Sequence, residues 1–564
     1  MKPKLFPLGV CGLLLFSALS GCTPRADGND NQDKIKTVDT ESEASSSNRE
    51  ILSHILEHKG RLNDSTTLFL SSLTDSFYRG NGSGNVWSRS KKWLPVSDSL
   101  VGTIRNAERF GLFPRQYHLD ALEGIFREIA ADSSGDPNGR KWAEADILLT
   151  DAGLHLLNDL HYGRMNYSIV HDAGPSKKLF LLRQLTRIIN EGQLTTILAD
   201  AEPHHAGYLA LKAALPRFLD SMDRKSYTYV RYPFKKSDEK DSLNFIRNMK
   251  QRLFESRCLE QLDNLPDSAR FSEAIKKYQR SNKLKPTGSI DAALIKNMNT
   301  SDAERFRMIA VTLDRYKQLP SEMPEKHIWV NLPAYRLQLW ERDSLALESK
   351  IICGKPETRT PTLSSELTDM VIYPTWTVPN SIITKQYLPK LKNNPRYLSR
   401  LGLQLFGTNG KPIDPTSVNW NKYSKGIPYK IMQSSGDRNA LGVMKFNFNN
   451  EYAVYLHDTN QRYLFKRTSR AFSHGCVRVE KWDSLAYFIA RNDSINLKAG
   501  DTLRYSTDSL KLWLGQKQYR KVLIDNKIAL FISYFSCEAQ KGKIIFHEDI
   551  YGEDRRLREQ YFTD

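Results

Sequence analysis

The spacing of apolar residues changes once along this chain, near residue 320, and that change limits the possible folds more than any other feature. Before it, Ile51, Leu52, Ile55 and Leu56 recur at helical spacing, as do Leu119, Leu122, Ile125, Phe126 and Ile129, and residues 147–160 continue the pattern. Such stripes bury one side of a helix against its neighbours. After one more predicted helix over 301–317, Ile328, Val330, Leu332, Leu337 and Leu339 alternate, as side chains on one face of a strand do. Further strands are predicted at 351–353, 371–373, 452–457 and 502–505, and in the tail at 528–535 and 544–546. Residues 381–400 are instead helical and basic, so they read as an insertion between strands. With 564 residues the chain exceeds the roughly 250 that one core accommodates. The fold class is therefore multidomain α+β.

The first residues address the compartment. Lys2 and Lys4 precede an apolar run over 5–19, which is too short for a permanent membrane span and has the form of a signal peptide. It ends in Leu19-Ser20-Gly21-Cys22, which resembles a bacterial lipobox; the resemblance implies lipidation of Cys22 and a lipoprotein held at the envelope by its lipid. Residues 22–49 are polar and free of aromatics, the composition of a disordered tether with a mean reach of roughly 30 Å. The formal charge of +18, from 82 Lys and Arg against 64 Asp and Glu, suits an anionic partner or simply a solvated surface. No zinc-finger spacing, RNA-recognition aromatic motif or dense basic run supports nucleic acid.

Residues 271–299 hold two helical stripes, Ala274, Ile275 and Tyr278, then Ile290, Leu294 and Met298, joined through Pro286-Thr287-Gly288. With Tyr278-Gln279 closing the first helix, the segment resembles the three-helix peptidoglycan-binding-like domain, which implies glycan as a ligand. His54 and His58 are four apart, but no third ligand accompanies them, so they read as exposed or capping residues rather than a metal site.

The chemistry-bearing segment is Tyr455-Leu456-His457-Asp458-Thr459 with Ser473-His474-Gly475-Cys476-Val477-Arg478. A thiol attacks as thiolate, and a nearby imidazole can take its proton. Alternation places Tyr455 and His457 on one side of a strand, where a tyrosine hydroxyl and the backbone freed by Gly475 are candidates to support an oxyanion. His474, two residues from Cys476, is a second candidate base, and pattern alone does not choose between the histidines. The three residues also compose a conceivable metal set, a reading with little to favour it. The remaining cysteines, Cys258, Cys353 and Cys537, form no CxxC pair, so in an oxidising envelope they must be buried, paired or functional.

The Ser-His-Gly-Cys-Val-Arg segment, with its upstream histidine, resembles the signature of the YkuD-type L,D-transpeptidases. Gly354-Lys355-Pro356, Thr360-Pro361-Thr362, Tyr373-Pro374-Thr375-Trp376 and Asn439-Ala440-Leu441-Gly442 extend the resemblance to the large, multidomain YcbB-like branch, although the lipobox departs from that branch. The resemblance implies Cys476 as nucleophile and His457 as base, with Ser473 and His474 shaping the loop. It also implies a cysteine acyltransferase that forms 3-3 crosslinks between peptidoglycan stem peptides through a thioester, without metal or cofactor, as a monomer facing the periplasm, and open to carbapenem acylation. Arg478 is a candidate partner for a substrate carboxylate or a salt bridge to a neighbouring strand; Trp376 is a wall of the donor groove or plain core. Water as acceptor would make the enzyme an L,D-carboxypeptidase, and a vestigial site would leave a wall-binding scaffold. The expected order is leader 1–21, tether 22–49, helical scaffold 50–240, binding-like domain 241–300, linker helix 301–325, β-rich catalytic domain 326–506 with a helical cap inserted at about 380–432, and extension 507–564.

Overall fold

A computed structural model describes residues 43–131, 139–165, 175–233, 238–262, 268–282, 284–497, 500 and 502–562. The leader, Cys22 and the first part of the expected tether lie outside the described residues. The end of that tether differs from expectation, because helix Glu43–Glu57 already covers it. Asn48 is fully buried there and donates to Ser83 O at 3.2 Å and Asn85 Oδ1 at 2.9 Å. Polar composition alone does not reveal a buried asparagine whose NH2 group is held by loop acceptors.

The chain divides into two compact units: the described residues up to 99 with those of 124–154 and 178–197, and the described residues of 100–123, 155–177 and 198–564. In the first, buried Ile51, Ile55, Phe77, Tyr78 and Trp87 form a helical core. Two buried carboxylates hold its loops. Asp146 accepts from the Tyr78 hydroxyl at 2.6 Å and from the Val86 and Trp87 amides at 3.0 and 2.9 Å, and Asp151 accepts from Phe69 and Leu70 at 2.9 and 2.8 Å. Each satisfies loop N–H groups that would otherwise be buried without partners.

In the second unit, helices Glu239–Glu255, Ser268–Ser281 and Ala292–Met298 share a core of Phe245, Met249, Ile275, Tyr278 and Leu294. Val230 joins this core and exchanges two 2.8 Å hydrogen bonds with Asn299, so the domain begins earlier than residue 241. Buried Gln279 accepts from the Gly288 amide at 2.9 Å and donates to Thr287 Oγ1 at 3.1 Å. Gln279 thus clamps the turn that follows the Tyr-Gln pair, while the Tyr278 hydroxyl donates to Asn297 at 2.9 Å.

The β-rich region is a closed barrel. Its strands are β1 (Lys326–Asn331), β2 (Arg336–Glu341), β3 (Ser344–Gly354), β4 (Leu363–Ile372), β5 (Met444–Phe448), β6 (Leu456–His457), β7 (Ala471–Ser473), β8 (Val477–Val479), β9 (Arg520–Leu523) and β10 (Ala529–Ser533). The pairing order β5-β6-β8-β3-β2-β1-β10-β4 returns to β5, while β7 pairs with β3 and β9 with β4. Inside lie Ile328, Val330, Leu337, Leu339, Phe446, Leu456 and Val477, all 1% exposed or less; each contributes roughly 1.5–3 kcal/mol by leaving water.

The boundary expected at residue 506 cuts this barrel. β10 lies parallel to β1 and antiparallel to β4, so the C-terminal extension closes the sheet. Local pattern cannot reveal a partner 202 residues away. The strand expected over 452–457 shrinks to Leu456–His457, because the Asn450 side chain accepts from the Tyr452 and Val454 amides, both at 3.1 Å, and holds a turn. Residues 502–505 form no strand; Tyr505 instead buries its ring and donates to Asp493 at 2.7 Å.

The insertion is more than helical. Short helices between Asn380 and Arg400 pack with a four-stranded sheet, Trp376–Thr377, Lys430–Gln433, Leu403–Phe406 and Pro412–Ile413 in spatial order, around Ile382, Leu391, Leu398, Leu405 and Trp420. Strands of two to four residues carry too little alternation to read. Residues 380–432 hold nine Lys and Arg against Asp414 alone. Among the described residues no helix is long and apolar enough to cross a membrane.

Candidate active site

β6 and β8 run parallel, with Leu456 opposite Val477 and His457 opposite Arg478. Leu456 and Val477 face the barrel core, so alternation turns Tyr455, His457, Cys476 and Arg478 together to the other side. β5 runs antiparallel on the far side of β6 and sets Lys445 opposite His457.

Cys476 is largely buried, which raises its thiol pKa; the Tyr455 backbone and hydroxyl, Lys445 and Arg478 oppose that rise by favouring the thiolate. The Tyr455 hydroxyl reaches the sulfur, and the Trp376 side chain in turn reaches the Tyr455 oxygen. Trp376 therefore enters the site through Tyr455 as well as packing against the cap core. The Tyr455 ring meets His457 edge-on at 5.5 Å.

His457 is 4% exposed and its Nδ1 has no hydrogen-bond partner. Burial, with Arg478 and Lys445 nearby, lowers its pKa to about 3, although backbone groups of Leu441 and Asp458 pull the other way. The imidazole is thus neutral at physiological pH, the state a proton acceptor needs. The Asp458 carboxylate does not serve it. It accepts from the Val443 amide at 3.1 Å and from Arg462 at 2.7 Å. Gly442 has a φ of +63°, and a Cβ there would lie 2.2 Å from Asp458 Oδ2. Asp458 and Gly442 together shape the turn that presents Leu441 to the imidazole.

The loop before the cysteine is held from several sides. Gly475 has a φ of +126°, open to glycine and strained for other residues. Its amide donates to Ser473 Oγ at 3.1 Å, and Ser473 Oγ donates to Cys476 O at 2.6 Å. The Gly475 N–H is therefore spent on the loop rather than aimed at an oxyanion. Thr360 Oγ1 donates to Gly475 O at 2.7 Å, and the Thr360 amide donates to the Tyr551 hydroxyl at 3.1 Å. The C-terminal extension supports the site through that tyrosine.

His474 is exposed and meets Gln386 of the cap. The metal set conceivable from sequence is not assembled, and among the described residues no cluster of three such ligands occurs. Among the described residues Arg478 makes no salt bridge to a neighbouring strand; Nη1 donates to Gln461 at 2.9 Å, while Nε is buried without a partner. Cys258, Cys353 and Cys537 are free and buried. His54 and His58 are exposed and stack on each other at 4.0 Å.

Sequence reasoning missed Lys445. Its ammonium sits 4.0 Å from the Tyr455 ring centroid and interacts electrostatically with Cys476 and Asp369, while burial lowers its pKa. A single lysine alternating with Met444, Phe446 and Phe448 looks like an ordinary outward position. The signal was its place in the strand that must pair with His457. Gln386, Thr360 and Tyr551 were missed because only the fold brings them near the loop.

Residues 325–496 match the family described as the L,D-transpeptidase catalytic domain (YkuD), and residues 72–215 match one described as a scaffold domain. A Haemophilus influenzae protein named "Putative L,D-transpeptidase" is 37% identical over 237 residues, 42% of this chain and 46% of that one; the matched stretch spans about half of that relative. A solved structure titled "Structure of the Ldtfm-avibactam carbamoyl enzyme" shares 16% identity over 38% of this chain and 52% of its own, with a TM-score of 0.16. The region around Cys476 is thus similar to the L,D-transpeptidase catalytic domain (YkuD), in a chain that also matches a scaffold domain.

Proposed function

We propose that this protein is a cysteine L,D-transpeptidase that forms 3-3 crosslinks in peptidoglycan. The observation that carries the proposal is the shared face of β6 and β8, where a thiol in reach of a tyrosine hydroxyl lies beside a neutral, buried imidazole.

In the first half-reaction His457 accepts the Cys476 proton, and the sulfur attacks the carbonyl of the third stem residue. The C–N bond to the terminal D-residue breaks, and the imidazolium returns its proton to the departing amine. An acyl thioester remains. In the second, a side-chain amine of another stem attacks the thioester, its proton passes to His457, and the C–S bond breaks to restore the thiol. The Tyr455 hydroxyl and the Cys476 amide support the oxyanion of each tetrahedral intermediate. Arg478, with its Nε unspent, suits a stem carboxylate, and the basic cap suits an anionic stem.

The protein works as a monomer in the periplasm, anchored through lipidated Cys22, with no nucleic-acid partner. The test is incubation of purified protein with disaccharide-tetrapeptide. Mass spectrometry should find 3-3 dimers and free D-alanine; tripeptide without dimer would make the enzyme an L,D-carboxypeptidase, and neither product a wall-binding scaffold.

A further inference from the structure

On β1 and β2, alternation sends Ile328, Val330, Leu337 and Leu339 into the barrel core and His327, Trp329, Asn331, Arg336, Gln338 and Trp340 to the other side. The two outward sets are cross-strand partners: His327 faces Trp340, Trp329 faces Gln338, and Asn331 faces Arg336. Above them, the start of helix Ala206–Ser221 leaves a cleft of about 900 Å³. Strand β3 separates this region from β8, which follows Cys476, so the cleft is not part of the thiol face.

We propose that this cleft binds saccharide, specifically an uncharged, N-acetylated glycan segment.

Aromatic rings line its floor. Trp329 lies 5.0 Å from His205 and 5.2 Å from Phe535 between ring centroids, and Tyr316 packs 4.5 Å from Phe535. Trp340 is only partly buried, leaving indole surface at the rim. Beside the rings is a connected polar rim: Gln338 donates to Glu348 at 2.9 Å, Arg336 pairs with Glu538 and lies 3.7 Å from Glu348, and His547 sits 3.1 Å from Glu538. A sugar ring needs that combination, with an apolar C–H face to lay on an indole and hydroxyl and acetamido groups to bond to fixed amides and carboxylates.

Charge narrows the ligand. The chain carries a formal +18, yet the cleft lining has five acidic side chains against Arg336 and Arg342. Burial, with His327 beside it, lowers the pKa of His205 to about 4, and burial lowers that of His327 as well. These histidines add no positive charge at neutral pH. The lining therefore repels stem carboxylates and phosphates and accepts a neutral sugar backbone. The inference does not depend on whether Cys476 transfers to an amine or to water.

The test titrates the full mature chain with the β-1,4-linked tetramer of N-acetylglucosamine and, separately, with glycan strands whose muramyl carboxylates are capped as neutral amides, reading tryptophan fluorescence and calorimetric heat. Saturable binding is expected, weakened by about tenfold or more in Trp340→Ala and in Gln338→Ala, the loss of about 1.4 kcal/mol, with the rate of Cys476 alkylation unchanged in both. Gln338→Ala removes a partly exposed side chain and guards against misfolding of the tryptophan variant. Absence of saturable binding at millimolar tetramer would overturn the proposal. So would equal affinity in wild type and both variants, which would move the sugar site elsewhere, for example to the three-helix domain. Tighter binding of tetralysine than of the tetramer would overturn it in favour of a cationic ligand. Binding of the tetramer but not of glycan strands would retain the saccharide chemistry and remove peptidoglycan as its source.

Discussion

Two regions of one barrel use strand alternation to opposite electrostatic ends. On β5, β6 and β8 the residues turned from the core include Lys445, Tyr455, His457, Cys476 and Arg478; on β1 and β2 they are His327, Trp329, Asn331, Arg336, Gln338 and Trp340. The first set surrounds a thiol with cations, and both cations favour the thiolate while disfavouring an imidazolium. The second surrounds aromatic rings with carboxylates. Reactivity is expected to reside in the first region and neutral-ligand recognition in the second, so each can be perturbed without the other.

The largest effect is expected from Cys476→Ala. It should abolish the carbapenem mass adduct and reduce product formation by a factor on the order of 10⁴–10⁶, while far-ultraviolet circular dichroism and sugar binding remain unchanged. An adduct that persisted would place the nucleophile elsewhere and break the comparison.

His457→Gln is expected to slow acylation by about 10²–10⁴. The pH dependence gives a sharper reading. Because His457 has a pKa lowered to about 3, it is neutral and able to accept a proton at every pH well above that value. The rate of iodoacetamide alkylation of Cys476 should therefore rise with pH as the thiol ionises, with no inflection near 6.5. A clear inflection there would mean that the imidazole titrates normally and that burial and the two cations do not govern it.

Smaller again is the effect of Lys445→Met. Removing a cation that favours the thiolate should raise the thiol pKa further and slow alkylation at pH 8 roughly tenfold; Lys445→Arg should restore most of the rate. Unchanged alkylation in the methionine variant would reduce Lys445 to a packing partner of Tyr455.

The ease with which these regions read from sequence differs too, for a physical reason. Cys476, His457, Tyr455 and Gly475 lie in two short segments, and thiol chemistry demands particular residue types close together. The switch from helical to alternating spacing was equally local, and so were the Tyr278-Gln279 pair and its turn. Lys445, Gln386, Thr360 and Tyr551 became visible only once strand pairing and loop packing joined distant segments. The closing strand Ala529–Ser533 is the extreme case, since its parallel partner Lys326–Asn331 leaves no trace in local spacing. Nor does the cleft announce itself. Trp329 and Trp340 read as ordinary strand aromatics until β1 and β2 are paired and a helix is laid beside them.

The smallest expected effect touches stability and separates the regions by pH. Burial raises the Glu538 pKa, but hydrogen bonding from His547 and the charge of Arg336 outweigh it and lower the pKa to about 2 from an ordinary 4.5. A carboxylate depressed in the folded state stabilises the fold above its unfolded pKa and loses that contribution as pH falls through the folded one. The stabilisation, on the order of 2 kcal/mol, should therefore be complete above about pH 5 and fade toward pH 2. In Glu538→Gln it should be absent, which a comparison of thermal unfolding at pH 7 and pH 3.5 measures: the gap between wild type and variant narrows on acidification. His457 remains mostly neutral at pH 3.5, so wild type and variant should alkylate Cys476 at equal rates at both pH values. A variant that lost thiol reactivity together with stability would show that the two regions are one cooperative site.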